Sequence, residues 1–259
     1  MRMMKKVLGT VTVLALSVSL LAGCGSTAVS PVSSTASTAA ESTTSSVVSE
    51  TTSAAADENA AAAAQLLNDL TGSYQELWPV ILADEYQQTW LDDCTALVGE
   101  ENAEAAFEKL SSMVTGDVYG EDAVEAYANG GGAYFCGFTN SLATLTFDGE
   151  TSTISGTDKD GNVLFSHAYH YIGMEPVRGL YEFESDDADS GEFTYFFLAP
   201  DTSAETYHIE FRYGSDAEAL SQYDAGEYAY WLASGISTDC DQTMIDNCIE
   251  LFCTENLAG

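Results

Sequence analysis

The chain has 259 residues, enough for one ordinary domain with additions or at most two small domains, and 46% of them are hydrophobic, so a sizeable core can be buried. Only 19% are charged, with 41 Asp and Glu against 7 Lys and Arg. Such a polyanion is repelled by nucleic-acid phosphates and by anionic headgroups, which excludes both as electrostatic partners, and it attracts cations.

Arg2, Lys5 and Lys6 open the chain with positive charge, and an apolar stretch follows from Val7 to Leu21. That stretch is shorter than the ~20 residues a membrane-spanning helix needs. It closes on Leu21-Ala22-Gly23-Cys24, which resembles a bacterial lipobox. The resemblance implies that residues 1–23 are a removable signal peptide and that Cys24 is diacylated. Two acyl chains, at ~0.8 kcal/mol per buried methylene, suffice to hold a protein on the extracytoplasmic face of the bacterial membrane. Without the first three bases, Lys109, Lys159, Arg178 and Arg212 stand against all 41 acids, a formal charge of −37. Residues 24–56 are almost wholly Ser, Thr, Ala and Val, with no aromatic residue and no base. They bury too little apolar area to offset their ordering entropy and read as a tether. Its r.m.s. span is about 30–35 Å.

The globular part runs from 57 to 259. Asp57 caps an Ala-rich helix that reaches Leu70. Tyr74–Leu97 reads as helix interrupted at Pro79, and Glu101–Val114 and Glu121–Ala128 as two more. After Gly130-Gly131-Gly132 the hydrophobic period changes from helical to alternating. Ala133–Phe138, Leu142–Phe147 and Glu150–Ser155 read as strands, the last two joined at the hairpin signal Asp148-Gly149. Val163–Tyr171, Gly179–Glu184, Phe193–Leu198 and Thr206–Tyr213 follow, and a helix over Asp241–Asn256 closes the chain. Seven strands in meander order, with helices beside them, imply a mainly β fold with flanking helices, closed into an antiparallel barrel so that no edge is left open.

With Cys24 given to lipid, five cysteines remain: Cys94, Cys136, Cys240, Cys248 and Cys253. Five is odd, so at least one thiol is free, and the sequence does not choose among the pairings. Buried structural cysteine is the reading, since no Cys-x-x-Cys spacing occurs.

The histidines are His167, His170 and His208. Thr206–Tyr213 has strict period 2, so Tyr207, Ile209, Phe211 and Tyr213 face one way and Thr206, His208, Glu210 and Arg212 the other. An imidazole and a carboxylate on one strand face can both reach one divalent ion, and that pair suits zinc. Two ligands do not make a site, however, and on spacing alone the simpler reading pairs Glu210 with Arg212 and His208 on a wet face. There is no phosphate loop after Gly130–Gly132 and no Gly-x-Ser-x-Gly elbow, so no enzyme is expected. Asp158-Lys159-Asp160-Gly161-Asn162 reads as a hairpin turn and not a calcium loop. Asp186-Asp187-Ala188-Asp189 reads as a solvated acidic loop. Tyr169, Tyr171, Tyr195, Phe196 and Phe197 are candidates to line a barrel pocket, with core packing as the default.

Gly72-Ser73-Tyr74-Gln75-Glu76-Leu77-Trp78-Pro79, Val177-Arg178-Gly179-Leu180-Tyr181-Glu182-Phe183-Glu184, Ala199-Pro200 and His208-Ile209-Glu210-Phe211-Arg212-Tyr213-Gly214 occur in that order. With Tyr230-Trp231 and the acidic last helix, they resemble the ZinT (YodA) metal-binding proteins over roughly residues 66–256. The same domain ends the AdcA-type zinc-uptake lipoproteins. The resemblance implies a lipocalin-like (calycin) barrel, zinc as the bound metal, and ligands at positions 196, 208 and 210. Only His208 is a histidine here; Glu210 is a competent substitute, and Phe196 cannot bind a metal. His167 or His170, on a neighbouring strand and facing opposite ways, could supply one replacement ligand.

The expected function is therefore a surface-anchored lipoprotein that binds a divalent metal, most readily zinc, as an accessory to uptake or buffering, with metal-uptake transporter components as partners. The alternative is a calycin-type module that has lost the metal and takes a small organic ligand or a protein. Replacing Cys24 with Ala should abolish fatty-acid labelling and shed the protein from the membrane fraction. Undiminished label on that variant would refute the anchor.

Overall fold

A computed structural model describes residues 58–200 and 208–258. The signal peptide, Cys24 and the tether therefore lie outside the described residues, as do Asp57, Thr206 and Tyr207. Eight strands close into a single antiparallel barrel in sequence order: β1 (Gly72–Glu76), β2 (Thr144–Asp148), β3 (Thr153–Thr157), β4 (Val163–Met174), β5 (Tyr181–Ser185), β6 (Tyr195–Leu198), β7 (His208–Gly214) and β8 (Ala233–Ser237). The closing pair is β1 with β8, in register from Tyr74↔Ser237 to Glu76↔Gly235. This is the up-and-down architecture of lipocalin-like barrels. Seven helices flank it: α1 over 58–69, α2 (Leu77–Ile81), α3 (Gln87–Val98), α4 (Glu100–Val114), α5 (Glu121–Ala128), α6 (Ala217–Leu220) and α7 (Gln242–Leu257).

Three of the sequence expectations change. Gly72–Glu76 is the strand that closes the barrel, although its last three residues, from Tyr74, read as the start of a helix. The backbone groups of β2 and β8 need that partner, and their demand overrides local propensity. Ala233–Ser237, a small-residue strand without the usual aromatic signal, was not expected and makes the eighth. Ala133–Phe138 is not a strand: it contributes only the isolated bridges Thr115↔Phe135 and Phe135↔Trp231. The Asp148 turn forms, but β3 resumes at Thr153 because the turn takes four residues, with Asp148 Oδ1 accepting from Glu150 N at 3.1 Å. Asp241 caps α7, accepting from Met244 N at 3.0 Å.

Alternation along each strand sends one set of side chains inward, and these are mostly aromatic. Phe165, Tyr169, Phe183, Phe196, Phe211 and Tyr213 are all buried in one cluster. Phe196 lies 5.3 Å from Tyr213 and 5.8 Å from Phe165, ring centre to ring centre, and Phe165 stacks on Phe193 at 4.0 Å. The barrel interior is thus a packed core. Helix α1 and the turn after it add Leu66, Leu67 and Leu70 to the same cluster. It fits there because residue 149 is glycine: a Cβ would come within 2.4 Å of Asn68 Cα, and the Gly149 N–H donates to Thr71 Oγ1 at 3.0 Å.

A second cluster lies outside the barrel, where α2, α3, α4 and α7 bring together Trp90, Cys94, Leu110, Ile249 and Cys253 with Ile236 of β8. Trp90 Nε1 donates to Ile81 O at 2.7 Å, so this buried indole is satisfied.

The Tyr213 hydroxyl ties the inner core to the segment before β2. It accepts from Thr139 N at 2.6 Å and donates to Thr139 O at 2.9 Å. Tyr213→Phe should leave the Thr139 N–H buried and unpaired, while Thr139 O keeps its bond from Leu142 N, costing about 1–3 kcal/mol. Urea unfolding should show it as a lower midpoint with an unchanged slope.

Candidate functional site

On β7, Ile209, Phe211 and Tyr213 enter the inner core, so His208, Glu210 and Arg212 project outward, as the period-2 reading predicts. The β6–β7 register pairs Phe196 with Tyr213 and Leu198 with Phe211, which turns Phe196 inward. The three positions implied by the family resemblance therefore do not share a face. Across from Glu210 stands Ala199, whose N–H donates to Glu210 O at 2.9 Å. A histidine at 196 would enter the aromatic core and not join His208 and Glu210. The implied zinc set does not fit this chain.

The outer surface beside Glu210 is covered. Ser234 of β8 lies opposite it in register, and buried Cys136 and Cys248 both feel its charge. Burial above all, with Glu210 adding to it, pushes each of these thiols up to about 12. Arg212 is fully buried and spends its guanidinium on backbone carbonyls of Leu220, Gln222 and Tyr228. It also packs on the Tyr223 ring at 4.4 Å, and Arg178 lies over the same ring at 4.4 Å.

His167 and His170 lie on opposite faces of β4, as their spacing of three predicts. His167 turns inward, its ring 6.0 Å from that of Phe165. Its Nδ1 is 2.7 Å from Asp187 Oδ2. His170 turns outward, with Nδ1 2.7 Å from Asp186 Oδ1. Two successive acids of the β5–β6 loop thus grip the two imidazoles from either side of the strand. The acidic loop is not merely solvated.

A carboxylate on Nδ1 accepts the Nδ1 proton and leaves Nε2 with its lone pair, the arrangement that orients a metal-binding imidazole. His170 Nε2 is 4.0 Å from Glu184 Oε2, the residue directly opposite on β5. Tyr195 OH donates to the other oxygen, Oε1, at 3.2 Å. His170, Glu184 and Tyr195 thus form one cross-strand row on the outer face, about half-exposed at the imidazole. His170 and Glu184 are the residues here that would hold a divalent ion, imidazole nitrogen and carboxylate oxygen being donor types that suit zinc.

His208 takes no part in this row. The row reaches β7 at Gly214, six residues or about 20 Å of strand from His208. Neither His167 nor His170 can serve as a third ligand beside His208 and Glu210, because strand order and face separate them. Among the described residues, no group of three or more His, Cys, Asp or Glu side chains is arranged to hold a metal. The His–Asp pairs are separated by 20 and 16 residues. No local sequence signal marks them; only the acidity of the loop and the presence of two histidines hint at it.

A cleft of about 340 Å³ opens outside the barrel, lined by Glu76, Trp78, Pro79, Leu82, Phe135 and Cys136 among others. Trp78 is buried and its Nε1 has no hydrogen-bond acceptor of good geometry; the Cys136 thiol is its polar neighbour. Glu76 Oε1 is engaged by Phe138 N at 2.6 Å.

No family model matches the chain, and no curated protein does. Among solved structures, the chain is similar to the Zn(II)-bound ZinT-like domain of Streptococcus pneumoniae AdcA. That match has 15% identity, covers 71% of this chain and 89% of that one, and has a TM-score of 0.45. It is also similar to Zn(II)-bound AdcA from Streptococcus pneumoniae, at 14% identity and a TM-score of 0.42, covering 72% of this chain but only 35% of that one.

At pH 8 a thiol with a pKa near 12 is about 0.01% thiolate, against roughly a quarter for an ordinary cysteine. Cys136 and Cys248 in the native protein should therefore react with iodoacetamide about a thousandfold more slowly than a free thiol. Peptide mass mapping over time measures this, and rapid labelling of either would contradict their burial.

Proposed function

We propose that this chain is a lipid-anchored, extracytoplasmic calycin-type protein that binds a divalent cation, zinc by preference, and serves metal uptake or buffering without catalysing a reaction. One observation carries the reading: His170, with Nδ1 held by Asp186, presents Nε2 to Glu184 across the β4–β5 ladder. The residues that would hold the ion are His170 and Glu184. Imidazole plus carboxylate is a zinc-type donor pair, and the formal charge of −37 concentrates cations around it. Asp186 positions the imidazole, and the Tyr195 hydroxyl orients the carboxylate. Two protein ligands leave the other positions to water, so the affinity is micromolar and not nanomolar. Uptake components that would receive the metal are part of the same proposal.

A second reading is favoured by the cleft. The Trp78 indole N–H, with only the Cys136 thiol near it among the described residues, suits a small organic molecule carrying an acceptor oxygen.

Calorimetry of zinc binding to protein lacking residues 1–24 separates these. His170→Ala and Glu184→Gln should each weaken zinc at least tenfold, and Asp186→Asn by ~10–100-fold as an outer partner. Acidification to pH 5 should release the metal, because protons compete for imidazole. Heat that survives His170→Ala but vanishes in ~0.5 M salt would assign the ion to diffuse charge and sink the site. Loss on His208→Ala alone would move the site to β7.

A further inference from the structure

Cys94 of α3 and Cys253 of α7 meet in the helical cluster outside the barrel. Their sulfurs are 3.9 Å apart, and both residues are fully buried. They are 159 positions apart in sequence, so nothing local brings them together; the packing of α7 on α3 does. The other three cysteines of the described chain sit elsewhere: Cys136 lines the cleft, Cys248 is one and a half turns earlier on α7, and Cys240 precedes that helix.

We propose that Cys94 and Cys253 are a modification site: oxidised in the extracytoplasmic space, they form one disulfide that fastens α7 to α3. A disulfide needs its sulfurs about 2.05 Å apart, so the pair must close by roughly 1.9 Å, within the reach of a rotamer change on two adjacent helices. The co-substrate is a disulfide oxidant, such as a thiol–disulfide oxidoreductase. The thiolate of one cysteine attacks a sulfur of the oxidant's disulfide and expels the other sulfur as thiolate. The second cysteine then attacks the mixed disulfide, forming the Cys94–Cys253 bond and expelling the second thiolate. The two protons lost by the cysteines end on the oxidant's two thiols, which take up both electrons.

Burial raises both thiols above the usual cysteine range, most strongly for Cys253. Exchange through the closed helical cluster is therefore slow, and the bond forms while α7 is docking on α3, which brings the two sulfurs together. One pair is joined, and Cys136, Cys240 and Cys248 stay free.

Thiol counting on protein purified from the membrane without reductant tests this. The protein is denatured in guanidinium, reacted with Ellman's reagent and digested without reduction. The expected count is three free thiols of the five beyond Cys24. One peptide pair should join the segment around Cys94 to that around Cys253, and intact mass should fall by the two hydrogens lost. Five free thiols, or a cross-link that joins any other cysteine, would overturn the proposal. The measurement is made on the unaltered chain, so it does not depend on whether a Cys94→Ser variant folds. Failure here would leave the zinc reading untouched, since no ligand proposed for the metal is a cysteine.

Discussion

Closure of eight strands onto themselves fixes almost everything else in this protein. Once β1 pairs with β8, every strand residue points either into the barrel or out of it, with no third choice. The inner positions went to rings: Phe165, Phe183, Phe196, Phe211 and Tyr213 fill the space that a ligand occupies in a wider barrel. Polar chemistry is thereby displaced to the outer surface and to the loop after β5. Glu210, Arg212, His170 and Glu184 all project outward for the same reason that the rings project inward.

The outer surface is not uniformly wet. Over β7 the segment between α6 and β8 is drawn down by Arg212, which supplies donors to backbone carbonyls of Leu220, Gln222 and Tyr228. Such carbonyls would otherwise be buried without partners. Beneath the β4–β5 connection, Glu175 is fully buried and accepts from the backbone N–H groups of Val177 and Arg178, both at 2.7 Å. Two of the four bases that remain after the first 24 residues are thus committed to one tyrosine, Tyr223, in a chain that is otherwise overwhelmingly acidic. Over β4 and β5 nothing comparable covers the strands among the described residues, and His170 and Glu184 are partly exposed there.

Much of the fold was legible in the sequence. Strands β2 to β7 follow from alternation, α4 and α5 from three- and four-residue spacing, and the turn at Asp158–Asn162 from its Asp160-Gly161 pair. There Asp158 Oδ1 accepts from Asp160 N and Asn162 N, both at 2.9 Å. The losses have identifiable causes. Gly72–Glu76 and Ala233–Ser237 are strands because of what they pair with, and pairing is invisible locally. The candidate site was legible only in its parts. Two histidines and an acidic loop could be seen, but which acid meets which imidazole depends on the β4–β5 register and its irregularity between Tyr171 and Gly173. Likewise the inward turn of Phe196 follows from the β6–β7 register, which residue spacing through a long connection does not define.

The two apolar clusters meet at the barrel wall and do not merge, with Ile236 of β8 belonging to the outer one. The helical layer can therefore open as a unit of its own while the barrel stays shut, a sub-global event rather than unfolding. Most proteins that shed a layer from a sheet expose a strand edge and become templates for aggregation. Here such an opening bares Trp90, Leu110 and Ile249 but no unpaired β-strand backbone, because the ladder runs unbroken around the ring. The open form is greasy but not sticky in the way an amyloid nucleus is.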